Sequence, residues 1–300
     1  MTEPEMSAAN SERLVLALKD ELITIGIPPR PTVLQSIERE MRQDEPDYSV
    51  LEKVISLDVG LAASLLKIAK SPLFGSASAN VTTVKTALQI LGLKTVATAI
   101  AGLSLRKAFA NVPNLERFWD ASACVAQISA WLVTKVPCSE KKIRPEEVYT
   151  FGLFRDAGIP VLLANYSDYL DILKVANAEA DQPFTTIEDE ELGVNHAYIG
   201  SKLAKDWELP QEFRSAIEFH HNRGMIEGTE AAQIPMASRY FIAISQMAES
   251  FHQQATQKSQ TLEWVKLGMA CLGVLGITQD EAAALFDQMI AEGVPLRPKF

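Results

Sequence analysis

Wherever hydrophobic residues form a period in this chain, the repeat is about 3.6 residues, and no alternating run lasts long enough for a strand. A chain patterned this way buries its apolar stripes against other helices, so an all-α fold is predicted. Gly and Pro punctuate the pattern. Gly26 ends a first amphipathic stretch, Leu14 to Ile25, and Pro28, Pro29 and Pro31 precede a second at 33–42. Ser49, with Glu52 as capping-box partner, Asp58 and Thr83 are predicted caps of the next three helices. Gly92 separates the third of these from a long successor. Further helices are expected over 118–135, 145–163, 166–178, 196–207, 211–221, 237–251 and 262–273, with Thr278 and Glu281 boxing a last one. The acidic run IEDEE (187–191) reads as a solvated face at a helix entry, and Arg223 to Gln233 as a polar loop. The best internal boundary is 111–119. It gives a flexible terminus (1–14), an N-terminal helical lobe (15–112) and a second helical lobe with a C-terminal extension (113–300).

Composition narrows the functional classes. The 300 residues carry a formal net charge of −10, which argues against general affinity for nucleic acid or anionic membranes. A nucleic-acid face would have to be local, around Arg30, Arg39 and Arg42. The three cysteines, Cys124, Cys138 and Cys271, are odd in number and lack C-x-x-C spacing. They fit buried thiols in a reducing compartment, with Cys124 in the core. No basic segment followed by an apolar one opens the sequence, and no run reaches the ~18 apolar residues of a membrane span. A cytoplasmic protein is expected.

The chemistry concentrates in one stretch. Three of the four histidines, His196, His220 and His221, fall within 70 residues of Asp156. One carboxylate and up to three imidazoles, the ligand set that the family resemblance given next implies, leave room for a single Fe, Mn, Zn or Ni ion. Two features oppose it. Adjacent positions on a helix point about 100° apart, so His220 and His221 would not both reach one ion. Arg155 also puts a guanidinium where a cation would sit. That guanidinium could instead bind an anion, or pair with a carboxylate and fill the space. His252 is expected to be exposed. No phosphate-binding glycine loop or nucleophile elbow is present.

The order of segments resembles the HDOD family, a branch of HD-type proteins that lacks the full metal-binding set. The matching stretches are IPPRPTVLQSIERE (27–40), VISLDVGLAASLLKIAKSPLFG (54–75) and VTTVKTALQILGLKTVATAIAGLSLRKAF (81–109). FWDASACVAQISAWL (118–132), FGLFRDAGIPVLL (151–163) and the span from His196 to His221 continue the match. The resemblance implies a two-lobed helical fold, bacterial origin and a role in signal transduction. It also implies that metal ligands have been lost at Ala121, Arg155 and Ser245, and that Leu73 and Phe74 pack between lobes or meet a partner. The expected function is therefore a non-catalytic signalling module. It would act on signalling proteins or bind a nucleotide or other anion, with no cofactor required. The alternative is a metal-dependent phosphohydrolase of nucleotides or cyclic dinucleotides.

Overall fold

The structure, a computed structural model, describes residues 27–70, 81–113, 115–136, 143–230, 233–257 and 261–296. The predicted helix at Leu14 to Ile25, and Leu73, Phe74 and Cys138, lie outside these residues. Among the described residues all regular structure is helical. The first set comprises α1 (Thr32–Met41), α2 (Tyr48–Ser56), α3 (Val59–Ala69), α4 (Val84–Leu91) and α5 (Leu93–Ala108). The second begins with α6 (Glu116–Val133), α7 (Pro145–Phe154), α8 (Gly158–Asn165), α9 (Tyr169–Ala178), α10 (Phe184–Leu192) and α11 (His196–Asp206). It ends with α12 (Gln211–Phe219), α13 (Arg223–Glu227), α14 (Met236–Thr256), α15 (Glu263–Leu275) and α16 (Gln279–Ala291). No single helix among the described residues is long and apolar enough to cross a membrane.

Several boundaries follow from local chemistry. Asp58 accepts the Gly60 and Leu61 N–H groups and caps α3, and Thr83 caps α4. Gly92, at φ 76°, turns α4 into α5. The cap of α2 is Asp47, two residues earlier than predicted. Ser49 instead accepts a hydrogen bond from Lys85 Nζ at 2.9 Å, which ties α2 to α4. Thr278 and Glu281 form the predicted box on α16.

Three departures from the sequence pattern shape the site. The stretch 145–163 is two helices, broken over Arg155, Asp156 and Ala157. Pro160 lacks the N–H that would bond the Asp156 carbonyl, and its ring would clash there, so a continuous helix is excluded. The predicted helix at 211–221 stops at Phe219 because Asn222 caps α13, accepting the Met225 N–H at 2.9 Å. The loop expected at 223–233 therefore begins with a short helix. The IEDEE run lies inside α10, with Phe184 and Glu188 buried on one face.

The two sets meet where α5 packs on α7. Trp207 Nε1 donates to the Pro28 carbonyl at 3.1 Å, and Arg30 pairs with Glu208 at 3.0 Å. In the second set, Phe151, Phe213 and Phe241 stack with centroids 4.9–6.1 Å apart, fixing α7, α12 and α14 to one another. Gly152 lets α7 touch α6 by backbone, since a Cβ there would lie 2.8 Å from Ala126 Cα. These contacts fix α6, α7, α12 and α14 around the site.

Candidate metal centre

Asp156, His196, His220 and His221 converge from three places in the chain. Asp156 projects from the break between α7 and α8, and His196 is the first residue of α11, behind the Asn195 cap. His220 and His221 follow the end of α12. His220 is the C-cap of α12, still with helical dihedrals (φ −69°, ψ −12°), and His221 lies just past it; the separation expected of helical neighbours does not keep the two imidazoles apart, and both reach the same point. One ligand atom from each of the four residues lies within 4.8 Å of all the others. Gly158 makes the approach of α8 to α11 close enough: a Cβ there would fall 2.0 Å from the His196 carbonyl oxygen.

The imidazoles are oriented from behind. The Ile217 carbonyl can only accept, so His220 Nδ1 carries the proton at 2.6 Å. Glu188 Oε2 accepts from His196 Nδ1 at 2.7 Å and from the His196 backbone N–H at 3.2 Å. Glu263 Oε2 accepts from His221 Nδ1. Each ring is thereby set as the Nδ1–H tautomer, and all three Nε2 lone pairs face inward. His196 Nε2 lies 3.3 Å from His220 Nε2 and 3.1 Å from His221 Nε2. Asp156 Oδ1 is 3.2 Å from His220 Nε2 and 3.8 Å from His196 Nε2. Lone pairs this close repel unless a proton or cation lies between them. Four donors about 2.0–2.1 Å from a tetrahedral zinc ion would sit about 3.3–3.4 Å apart, close to these separations. The residues therefore fit one divalent ion, which would supply Lewis acidity to a group bound beside it.

Protonation follows the same geometry. Burial alone would lower the His196 pKa, but the Glu188 carboxylate outweighs it and the net shift is upward. Burial and the neighbouring His221 push His220 down to about 3. His221 is also lowered, because burial outweighs Glu263. Burial would raise Asp156, but Arg155 and His220 hold it well below the usual carboxylate range.

Arg155 is buried, and its guanidinium is already committed. Nε and Nη2 donate to Asp156 Oδ2 at 3.1 and 3.0 Å, and Nη2 also pairs with Glu249 at 2.8 Å. Asp156 thus gives one oxygen to Arg155 and turns the other toward the imidazoles. The two carboxylates compensate the guanidinium charge, which weakens the repulsion that Arg155 alone would exert on a cation. Ser245 is buried and its Oγ donates to the Ile242 carbonyl at 3.0 Å. Ala121 offers no donor atom and lines a cavity beside the cluster.

Four contributors escaped sequence reasoning. Glu188 belongs to the run read as solvated, yet it is fully buried and also accepts the Tyr169 hydroxyl. Its i,i+4 spacing from Phe184 was the available signal. Phe184 stacks on His221 with centroids 5.0 Å apart and meets His196 edge-on at 5.3 Å. Glu249 stands one helical turn beyond Ser245. Nothing in the sequence marked Glu263, which faces His221 from the start of α15. His252, expected to be exposed, is buried in α14 away from the cluster. Cys124 and Cys271 are buried, and burial raises their thiols to about 11 and 12.

The fold places the molecule among all-helical proteins. A profile of the HDOD domain matches residues 27–223, and the chain belongs to the HDOD family. It is 26% identical over 197 residues to an uncharacterized protein of Treponema pallidum (strain Nichols), covering 65% of this chain and spanning only 38% of that protein. Among solved structures, a protein of Shewanella amazonensis SB2B provisionally named a phosphohydrolase matches with a TM-score of 0.62 at 20% identity, over 94% of this chain and 96% of that one. A protein of Marinobacter aquaeolei VT8 provisionally named for signal transduction matches with a TM-score of 0.62 at 19% identity, over 89% of this chain and 57% of that one. At these identities the structures share the fold.

Proposed function

We propose that this chain is a signalling module that holds one divalent cation at Asp156, His196, His220 and His221 and acts by binding a protein or small ligand, without hydrolysing phosphate esters. The observation that carries the reading is the double pairing of Arg155. Its guanidinium takes Asp156 Oδ2 and Glu249, so the carboxylate that could bridge two ions is spent on an internal cation. Ala121 and Ser245 supply no further ligand. A second ion, to clamp the leaving oxygen opposite a metal-bound nucleophile, would lack the donors missing at Ala121, Arg155 and Ser245, and the nearby Glu249 carboxylate is held by Arg155. The pairing of Arg30 and Arg42 with Glu38 likewise removes much of the basic face that nucleic acid would need, and supports a protein or small-molecule partner.

A one-metal phosphohydrolase is the competing reading. The cavity beside the cluster favours it, because a substrate could enter there. Both readings are tested by loading the protein with Mn, Fe, Ni or Zn and measuring metal content and turnover of bis(p-nitrophenyl) phosphate and cyclic dinucleotides. One ion per chain, lost in Asp156→Ala, with no turnover above metal-loaded buffer, is expected. Turnover that is abolished in Asp156→Ala would overturn the proposal.

A further inference from the structure

The cavity beside the cluster has a volume of about 690 Å3, within the range of about 300–1,000 Å3 that holds small ligands. Its lining is divided in character. Asp156, His196 and His221 bring the candidate metal centre to it, while Val125, Ile159, Leu163, Leu170, Leu173 and Phe184 give it an apolar wall. Ala121 is part of that wall. Its methyl group offers no donor and leaves room.

The charges make the cavity conditional. Its lining contains four carboxylates, of Glu116, Asp156, Glu249 and Glu263, and three cationic side chains, of Arg117, Arg155 and Lys174. With the histidines neutral that is a formal −1. One divalent ion turns it to +1 and places the positive charge at the cluster. An anionic head group is therefore repelled from the metal-free cavity and attracted to the loaded one.

The wall also selects the body of the ligand. A nucleoside needs partners for its base edge and sugar hydroxyls. The uncharged polar side chains in the lining are those of Ser122, Asn177 and Thr261. Ser122 already donates to the Phe118 carbonyl at 2.9 Å, and Thr261 accepts from Gln253 at 3.2 Å. An alkyl or aryl body meets the wall with no such demand.

We infer that this cavity binds a small amphiphilic acid, with its carboxylate or phosphate head directed at the cation and its apolar body against α6, α8 and α9. The inference rests on the cluster holding a cation. Each methylene buried should tighten binding about fourfold until the wall is covered.

The test is calorimetric titration of the full chain, metal-loaded and chelated, with hexanoate, octanoate, decanoate, decyl phosphate and decanol as probes. The carboxylate and phosphate arms separate the two kinds of head group. Support would be affinity that rises with chain length, falls at least tenfold after chelation, and falls at least tenfold for decanol. It should also be lost in Ala121→Phe with metal content unchanged. Leu173→Glu, at a partly exposed wall position, should weaken binding too, and serves if Ala121→Phe fails to fold. A metal-loaded protein that binds no probe overturns this inference and leaves the cation reading standing, as does equal binding with and without metal. Tighter binding of a nucleoside monophosphate than of decyl phosphate also overturns it. Failure to take up metal at all overturns both.

Discussion

Glu188→Gln probes the centre from behind. Glu188 is fully buried and accepts three hydrogen bonds, from His196 Nδ1, the His196 backbone N–H and the Tyr169 hydroxyl. Glutamine has nearly the same shape but only one acceptor oxygen, and its amide brings two N–H donors into a place that needs acceptors. Hydrogen bonds to a charged group contribute about 1.5–3 kcal/mol each, and a buried donor left unpaired costs about 1–3 kcal/mol. Losing at least one such bond predicts a loss of about 2–4 kcal/mol in the stability of the metal-free protein. The effect on the metal is separate. With His196 no longer held as the Nδ1–H tautomer, its Nε2 lone pair turns away for part of the time. Loss of an outer-shell partner of this kind typically costs about 10–100-fold in metal affinity. Urea denaturation of the chelated protein measures the first effect, and competition with a chromophoric chelator the second. Stability unchanged within about 0.5 kcal/mol, together with unchanged metal affinity, would refute the orienting role.

Other expectations follow from the same packing. Arg155→Met should leave Asp156 and Glu249, each about a fifth exposed, without their cationic partner and cost at most about 3–5 kcal/mol, read by chemical denaturation; a neutral result would mean that the pair is solvated. Gly158→Ala should push α8 from α11, because its Cβ meets the His196 carbonyl, and should lower both stability, by about 1–3 kcal/mol or more, and metal uptake. Asp58→Ala should remove the α3 cap and the Lys107 pair, costing about 1 kcal/mol at neutral pH. Lys107 and the capped N–H groups lower the folded-state pKa of Asp58. Its contribution is therefore complete above about pH 4, near the unfolded value, and fades as the pH falls through the folded one. The difference between wild type and variant should shrink at pH 3.

The helical architecture was legible because amphipathic periods and caps are local. Asp58, Thr83, Gly92 and Thr278 act on their own neighbours, and the structure finds each where the sequence put it. Two failures were local signals passed over, Pro160 four residues after Asp156 and Asn222 just past His221, and the others arose where a distant contact decided a local question. The break at Arg155 to Ala157 depends on Pro160, and it presents Asp156 to histidines forty and more residues away. The truncation of α12 before His220 depends on Asn222 starting the next helix. The four-residue cluster was visible as a composition of donors, but its convergence was not. Glu188 shows why polar runs mislead. Charge alone reads as solvent exposure, whereas one carboxylate in the run has three buried donors to satisfy. Glu263 and Glu249 are brought in by tertiary packing of α14 and α15, which no single-sequence period encodes.

The central claim is that the four residues hold a single cation and that Arg155 prevents a second. X-ray absorption at the metal edge, on protein purified without chelator and reloaded with zinc, tests it most directly. The account predicts one ion per chain, a nearest shell of imidazole nitrogen with one or more oxygens, and no metal–metal vector. Two ions per chain with a metal–metal vector of about 3.5–4 Å, or a loaded ion whose shell lacks imidazole, would contradict it.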